Sequence, residues 1–555
     1  MVEQSRYRFI MSRVGFCSSI TPLPWSPMKL LPALLAFLAA TVSLAAGEPI
    51  DIGSRRELMV DDHLIDSMTG SLRLQVHKPV RRNVALVTDA PWEGNACLYS
   101  SLFHDGKRFR MYYTASQYVN RKGRIELPHG RLLCYAESVD GIHFTKPKLN
   151  LVEFAGSKEN NIILKSGDLS GIAIDPGHTT ILKDTNPNCP PDARYKAIVR
   201  SAAKGVVGLH ALKSKDGFHF TPLTDKLIIS DGYFDSENLA FWDPVRREYR
   251  AYFRDFHDGP PGRGIRGIKT ATSNDFINWT KGEWLQYPGA ADVHLYTNQI
   301  APYPRATHIF VGFPMRYIDR GWVHSTGRLP GLAERKARAN ASPRYGSVVT
   351  DALLMTSRDG VSFRRWGVAL SRPGLSRTNS WTYCDNLVSW GLLRTKSDLP
   401  QAPDELSIYA IEGYWNGRSQ NFRRYSFRVD GFVSVQARLR GGEFVTKPIL
   451  FKGARLEINY STSAAGSIRI EIQDTDGNPL SGHALTDCHE VFGDEISRTV
   501  AWKAGESVKA ISGAAVRLRF VLKDADLFSF RFRHAGSKGK RSTGLVVPGS
   551  GVVRK

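Results

Sequence analysis

The chain has 555 residues, 42% of them apolar, and a formal net charge of +22. That length and apolar content exclude an intrinsically disordered protein and leave room for two or three domains with cores of their own. The charge points to a polyanionic partner or to a strongly solvated basic surface.

The first recognisable element is a leader. Met28 and Lys29 precede the apolar run LLPALLAFLAATVSLAAGEP, which ends in small residues suited to cleavage near Ala45 or Ala46. Pro32 interrupts the run, and it is shorter than the roughly 20 residues that span a bilayer. The expectation is export to the periplasm or the exterior, with no permanent membrane anchor and with residues 1–46 as upstream extension and signal peptide. For an exported basic protein, acidic or sulfated polysaccharide is a better partner than nucleic acid, and no nucleic acid is expected.

The six cysteines are scattered, and Cys17 lies upstream of the leader. Five remain, an odd number without the C-x2-C spacing of a zinc site, so neither a disulfide framework nor a structural metal is indicated. One or two bridges stay open. No cofactor is expected, and a structural cation held by histidines is left as an alternative.

A repeat governs the next 400 residues or so, a length typical of several sheets in one ring. It reads ESVDGIHF, KSKDGFHF, TSNDFINW, TSRDGVSF and, more loosely, FRVDGFVSV, centred on Asp140, Asp216, Asp275, Asp359 and Asp430. Each copy joins an alternating apolar strand to an aromatic-bearing return through a tight turn, and a second hairpin precedes it, as in SLFHDGKRFRMYYTAS. Four strands per unit and five units predict a five-bladed β-propeller over residues 47–432. RELMVDDHLIDS is expected to close the ring or cap its entrance. Beyond it, KPILF, RLEINYS, SIRIEIQD, VRLRFVLKD and FSFRFR are short alternating strands without the repeat, and they predict a β-sandwich over 433–534. A Gly/Ser-rich basic tail, 535–555, is expected to be disordered.

In a propeller, the innermost strands begin around one central funnel, so polar residues at those openings converge. Blade one offers Trp92, Glu93 and Asn95 in PWEGNACLYS. Blade two offers Asp175 and His178 in IDPGHTT, and blade three Asp235, Glu237 and Asn238 in FDSENLAF. Blade four offers Asp292, His294, Tyr296 and Asn298 in ADVHLYTNQ; blade five offers Trp381, Tyr383, Asp385 and Asn386 in SWTYCDNLV. Neighbouring carboxylates in a partly closed site divide into one protonated donor and one ionised partner, the division that glycoside hydrolysis uses. Glu237, Asp235, Glu93 and Asp385 are therefore the candidate catalytic carboxylates. Trp92, Tyr296, Trp381 and Tyr383 offer faces for sugar rings, and Asn95, Asn238, Asn298, Asn386, His178 and His294 offer hydrogen bonds. Asp and Asn at strand starts also satisfy turn backbone, and each carboxylate is weighed against that use.

The blade repeat, with VDDHLID, PWEGN, FDSENLAFWD and LYTNQIAPYP, resembles the secreted five-bladed propeller superfamily of glycoside hydrolases. The resemblance is to the invertase/fructanase and arabinanase/β-xylosidase type, as in secreted proteins of planctomycete-type bacteria. It implies a carbohydrate-active enzyme with three carboxylates on the first three blades. Glu237 matches the general acid, and Glu93 stands near the first-blade carboxylate. The chain departs from the family in lacking a WMNDPNG-like motif and an Arg-Asp-Pro triplet, and in offering Asp175 and His178 where the middle carboxylate is expected. Glycan binding without catalysis, and elimination from uronic acid polymers, are the alternative functions.

Overall fold

A computed structural model describes residues 48–534. The leader and the basic tail expected from the sequence lie outside the described residues.

Five antiparallel sheets form a five-bladed β-propeller. The first contains Ser100–His104, Phe109–Ala115, Leu132–Ser138 and Ile162–Lys165; the second runs from Gly167–Leu169 and Ile172–Lys183 through Tyr195–Ala203 and Val206–Ser214. The third contains Leu239–Asp243, Glu248–His257, Ile265–Ser273 and Glu283–Trp284. The fourth contains Ala301–Tyr303, Ala306–Gly312, Met355–Ser357 and Arg364–Arg365. The fifth contains Leu393–Thr395, Glu405–Glu412 and Asn421–Phe427, and its outer edge is Val80–Val87 from the far N-terminal side of the ring. That pairing closes the circle with main-chain hydrogen bonds between the first and last parts of the propeller.

The repeat that marks the blades has a mechanical role. In four copies a serine hydroxyl, of Ser138, Ser214, Ser273 or Ser357, donates to the carboxylate of Asp140, Asp216, Asp275 or Asp359 two residues on. It also accepts from the backbone of the turn. The same carboxylates accept two further backbone N–H groups, as Asp140 does from Ile142 and His143. These bonds hold the last turn of each blade shut. The fifth copy has no such serine, and its Asp430 is used differently. It is fully buried, 3.0 Å from Arg305 of blade four and 3.5 Å from Arg56, and it accepts from Tyr303, Asn459 and Ser529.

The second body corrects the expected boundary. Ile50–Gly53, Glu57–Leu58, Ile65–Gly70 and Arg73–Val76 pair with C-terminal strands, so the sandwich is built from both ends of the chain and the propeller begins at Val80. RELMVDDHLIDS therefore neither closes the ring nor caps the funnel: Glu57 and Asp61 instead receive the Arg358 guanidinium at 2.9 and 2.7 Å. The N-terminal strands alternate as blade strands do, and alternation alone does not say which sheet a strand joins. Two 19-residue strands, Arg455–Gln473 and Ala515–Arg533, run the length of the sandwich, and their inward residues, among them Ile458, Ile470, Leu518 and Phe530, are wholly buried.

Helix enters where no helical period was expected. Between Met315–Asp319 and Val348–Ala352, which pair as a separate two-stranded sheet inserted into blade four, the helix Leu332–Ala339 packs with Arg344–Ser347. Buried Arg335 and Arg338 hold the insertion by donating to the carbonyls of Gly346, Tyr345 and Trp415. The five described cysteines are all free, which settles the open question of bridges in favour of none among them. No described helix is long and apolar enough to cross a membrane.

Candidate functional site

The five inner-strand openings meet in one funnel of about 280 Å³. Each blade contributes at least one wall residue: Tyr99, His178, Asp235, Tyr296 and Tyr383 in chain order.

Blade two shows how the sequence makes this wall. In Ile172–Lys183, Asp175 pairs with Arg200 and Thr180 with Ile198, so the residues between them have no partners and bulge toward the axis. Pro176 has no N–H to give a ladder. A Cβ on Gly177 would lie 2.0 Å from Arg131 Cδ, so only glycine lets the bulge pass that side chain. The result puts His178 in the funnel.

There His178 Nδ1 lies 3.2 Å from Asp175 Oδ2, and Nε2 lies 3.0 Å from Asp235 Oδ1. Asp175 is also held by Arg131 at 3.1 Å and Arg200 at 3.2 Å. Desolvation pushes the Asp235 carboxyl up, but the hydrogen bond from His178 and the charges of Arg254 and Arg200 outweigh it and hold it well below the usual carboxylate range. Asp175 is depressed in the same way, burial again opposing and His178 and Arg131 prevailing. Both stay ionised at neutral pH, and Asp235, with its side chain 53% exposed, is the one that reaches open space.

Aromatic hydroxyls line the same funnel. Tyr99 donates to the Tyr296 hydroxyl at 3.4 Å, which leaves the Tyr296 proton unspent within the protein. Burial raises both phenols above their ordinary values. The rest of the wall includes Tyr118, Tyr345, Tyr414 and Trp415 together with the guanidiniums of Arg131, Arg254, Arg266 and Arg344.

Among the residues singled out in the sequence, Asp235, His178, Tyr296 and Tyr383 line the funnel. The others stand elsewhere. Glu237 is fully buried beside the axis, accepting from Gln299, and burial holds its carboxyl well above the usual range despite the bonds from Gln299 and the Ser100 N–H. It was expected to face the same side as Asp235, but the chain between Asp235 and Leu239 is not an extended ladder strand, so the two-residue alternation does not apply. Glu93 is buried off the funnel, accepting from Tyr113 and paired with Lys146 at 2.6 Å. Asp385 accepts from the Thr382 N–H and hydroxyl and from the Gly413 N–H, which makes it the brace of a buried loop; burial still pushes it up to about 6.

The amides prove to be loop fasteners as well. Asn95 ties Tyr118 to Gly417, Asn238 donates to Ser236 O, Asn298 accepts from Ile300 N–H and Asn386 accepts from Ser371. Trp92 donates to Asn161 away from the funnel. His294 sits behind the wall, its Nδ1 accepting from the Arg266 N–H at 3.2 Å. Neither His178 nor His294 joins the one group of His and Asp side chains spaced for a cation among the described residues, His257, Asp258 and Asp292.

Sequence reasoning missed Tyr99, Arg131, Arg254 and Arg266. Arg254 and Arg266 lie on alternating strands, where a charged position reads as a solvated face, and Arg131 stands just before one.

No protein-family model and no curated protein matches the chain. Several solved structures match the chain at low identity. It matches a fructofuranosidase variant of Schwanniomyces occidentalis complexed with fructosylnystose at 11% identity and a TM-score of 0.35, over 82% of this chain and 97% of that one. An N-acetylgalactosamine deacetylase from F. plautii, in complex with blood group B trisaccharide, matches at 13% identity and a TM-score of 0.38, over 64% and 96%. A glycosyl hydrolase from Bacteroides ovatus matches at 13% identity and a TM-score of 0.29, over 67% and 93%.

Proposed function

We propose that this chain is a carbohydrate-active enzyme that cleaves glycosidic bonds in the propeller funnel, with Asp235 as its ionised carboxylate. The observation that carries the reading is the Asp175–His178–Asp235 chain, which fixes a half-exposed carboxylate at the meeting point of five blades. An ionised, oriented carboxylate is what attack on an anomeric carbon, or activation of water beside it, requires. Tyr99 and Tyr296 supply hydroxyls in the same funnel, and Tyr383 and Trp415 supply apolar faces for a sugar ring. Glu237 and Asp385 stand outside the funnel, so they hold no role in this scheme beyond supporting its walls.

One feature favours a second chemistry on the same site. Phenols and an imidazole line the funnel, while the carboxyls of Asp235 and of Asp175 behind it are held ionised. Elimination from a uronic acid polymer uses such a set, with a phenol or imidazole moving the proton. The leader and the strongly basic balance of the sequence support the remainder of the proposal: an exported protein whose substrate is a poly- or oligosaccharide bearing acidic groups.

Incubation of the purified chain with neutral, sulfated and uronate polysaccharides tests this directly. New reducing ends without near-ultraviolet absorbance mean hydrolysis, and reducing ends with such absorbance mean elimination. Binding to a glycan without cleavage of any would contradict catalysis and leave a glycan-binding propeller.

A further inference from the structure

The funnel holds more guanidiniums than carboxylates: Arg254 shares its one carboxylate, Asp235, with His178, and Arg266 has no ion pair among the described residues. Arg254 is 3% exposed and Arg266 is 6% exposed, and both line the cavity. Their placement follows from sheet register. Arg254 and Phe256 are two apart on Glu248–His257, and Phe256 pairs with Arg266 across the ladder, so all three side chains stand on one face.

Aromatic rings surround the two guanidiniums. Arg254 lies 5.4, 5.3 and 5.2 Å from the ring centres of Tyr233, Phe256 and Tyr296, and Arg266 lies 4.4 Å from that of Tyr317 and 5.3 Å from that of Phe256. Such rings ease the cost of a buried cation without neutralising it. The Nε of each has no hydrogen-bond partner. The nearest carboxylate, Asp235, is 3.6 Å from Arg254 and is already bonded to His178. Arg266 meets only the neutral face of its surroundings, with its Nη1 3.4 Å from His294 Nδ1. Burial and the Arg266 charge hold His294 below its ordinary pKa, which keeps that nitrogen an acceptor.

A buried guanidinium without an anion, as Arg266 is, is an incomplete ion pair. We infer that Arg254 and Arg266 form an anion subsite that takes the acidic group of a charged sugar, a carboxylate or a sulfate ester, next to Asp235. A planar guanidinium offers two parallel N–H groups to either anion. The inference rests on the reading of the funnel as the sugar site and adds to it the class of sugar admitted.

The test is calorimetric titration of the full chain with D-glucuronate, glucose 6-sulfate and glucose. The wild-type protein is expected to bind at least one charged probe tenfold or more tightly than glucose, and the preferred probe separates carboxylate from sulfate. Arg266→Met is expected to remove that preference, and Asp235→Asn, which removes the competing anion, to strengthen it. Equal binding of glucose and both charged probes by the wild-type protein overturns the inference whatever the variants do, as does an unchanged preference in a folded Arg266→Met protein. Charged-probe binding without cleavage of any polysaccharide keeps the subsite and removes the catalytic proposal. Cleavage of neutral glycans with no charge preference does the reverse.

Discussion

Asp235 of blade three accepts from an imidazole of blade two: His178 Nε2 lies 3.0 Å from its Oδ1. The bond crosses the seam between two sheets, and Asp175 holds the other ring nitrogen from behind at 3.2 Å. Orientation of a functional side chain by a buried partner is how a site keeps its geometry at the mouth of a channel. Because each of the three residues depends on the next, changing one should disturb function without disturbing the blades.

Tyr296 is positioned to give a proton. Its hydroxyl accepts from Tyr99 and spends its own proton on no protein atom. Tyr296→Phe keeps the ring that flanks Arg254 and should slow cleavage by about 10² to 10⁴, the usual worth of a general acid or base. Steady-state kinetics check it, and a KM near the wild-type value is expected with the fall confined to kcat.

Glu237→Gln separates burial from catalysis. The folded-state pKa of Glu237 is raised, with burial the leading cause. A raised carboxylate costs nothing below its unfolded value, about 4.3, and costs more as pH rises toward the folded value. The glutamine variant removes that cost, so its Tm should match or exceed that of the wild type at pH 7, with the difference vanishing near pH 4. Glycan cleavage should persist. A well-folded variant without activity would restore Glu237 to the general-acid role that the family resemblance gives it.

Asp430 locks the last blade to the sandwich. The Arg305 and Arg56 charges, with Tyr303 and Asn459 donating, overcome burial and hold its carboxyl well below the ordinary range. Asp430→Asn takes the carboxylate from Arg305 and leaves buried Arg56 with Glu457 alone, and it should cost about 3 to 5 kcal/mol. A depressed carboxylate stabilises above its unfolded pKa, about 3.9, and loses that contribution as pH falls below it. Urea unfolding at pH 7 should therefore show the full deficit, and acidification below pH 4 should narrow the gap between variant and wild type.

The blades were legible because their turns are written in short local strings. Ser-x-Asp followed by glycine, or by Phe276 in the third copy, closes a loop through bonds spanning three residues, and nothing distant can change that. The convergence of the five openings was legible for the same reason, since each precedes an inner strand. Depth was not. Glu237 and Asp235 sit two residues apart in one motif, yet one is sealed against Gln299 and the other opens on the funnel. What separates them is the packing of blades one and four against blade three, a relation between residues more than sixty positions apart. Arg254 and Arg266 were hidden for a related cause. Period two tells which residues share a face, while whether that face meets water or aromatic rings is decided by the neighbouring blade.

The most direct measurement is the rate at which Asp235→Asn cleaves the polysaccharide that the wild-type chain degrades fastest. The amide keeps the shape of the side chain but not its charge toward His178 and Arg254, so the variant should stay folded with a modestly lower Tm and should lose at least about 10² in kcat/KM. A folded Asp235→Asn protein that cleaves at the wild-type rate would contradict the funnel carboxylate as the centre of the chemistry.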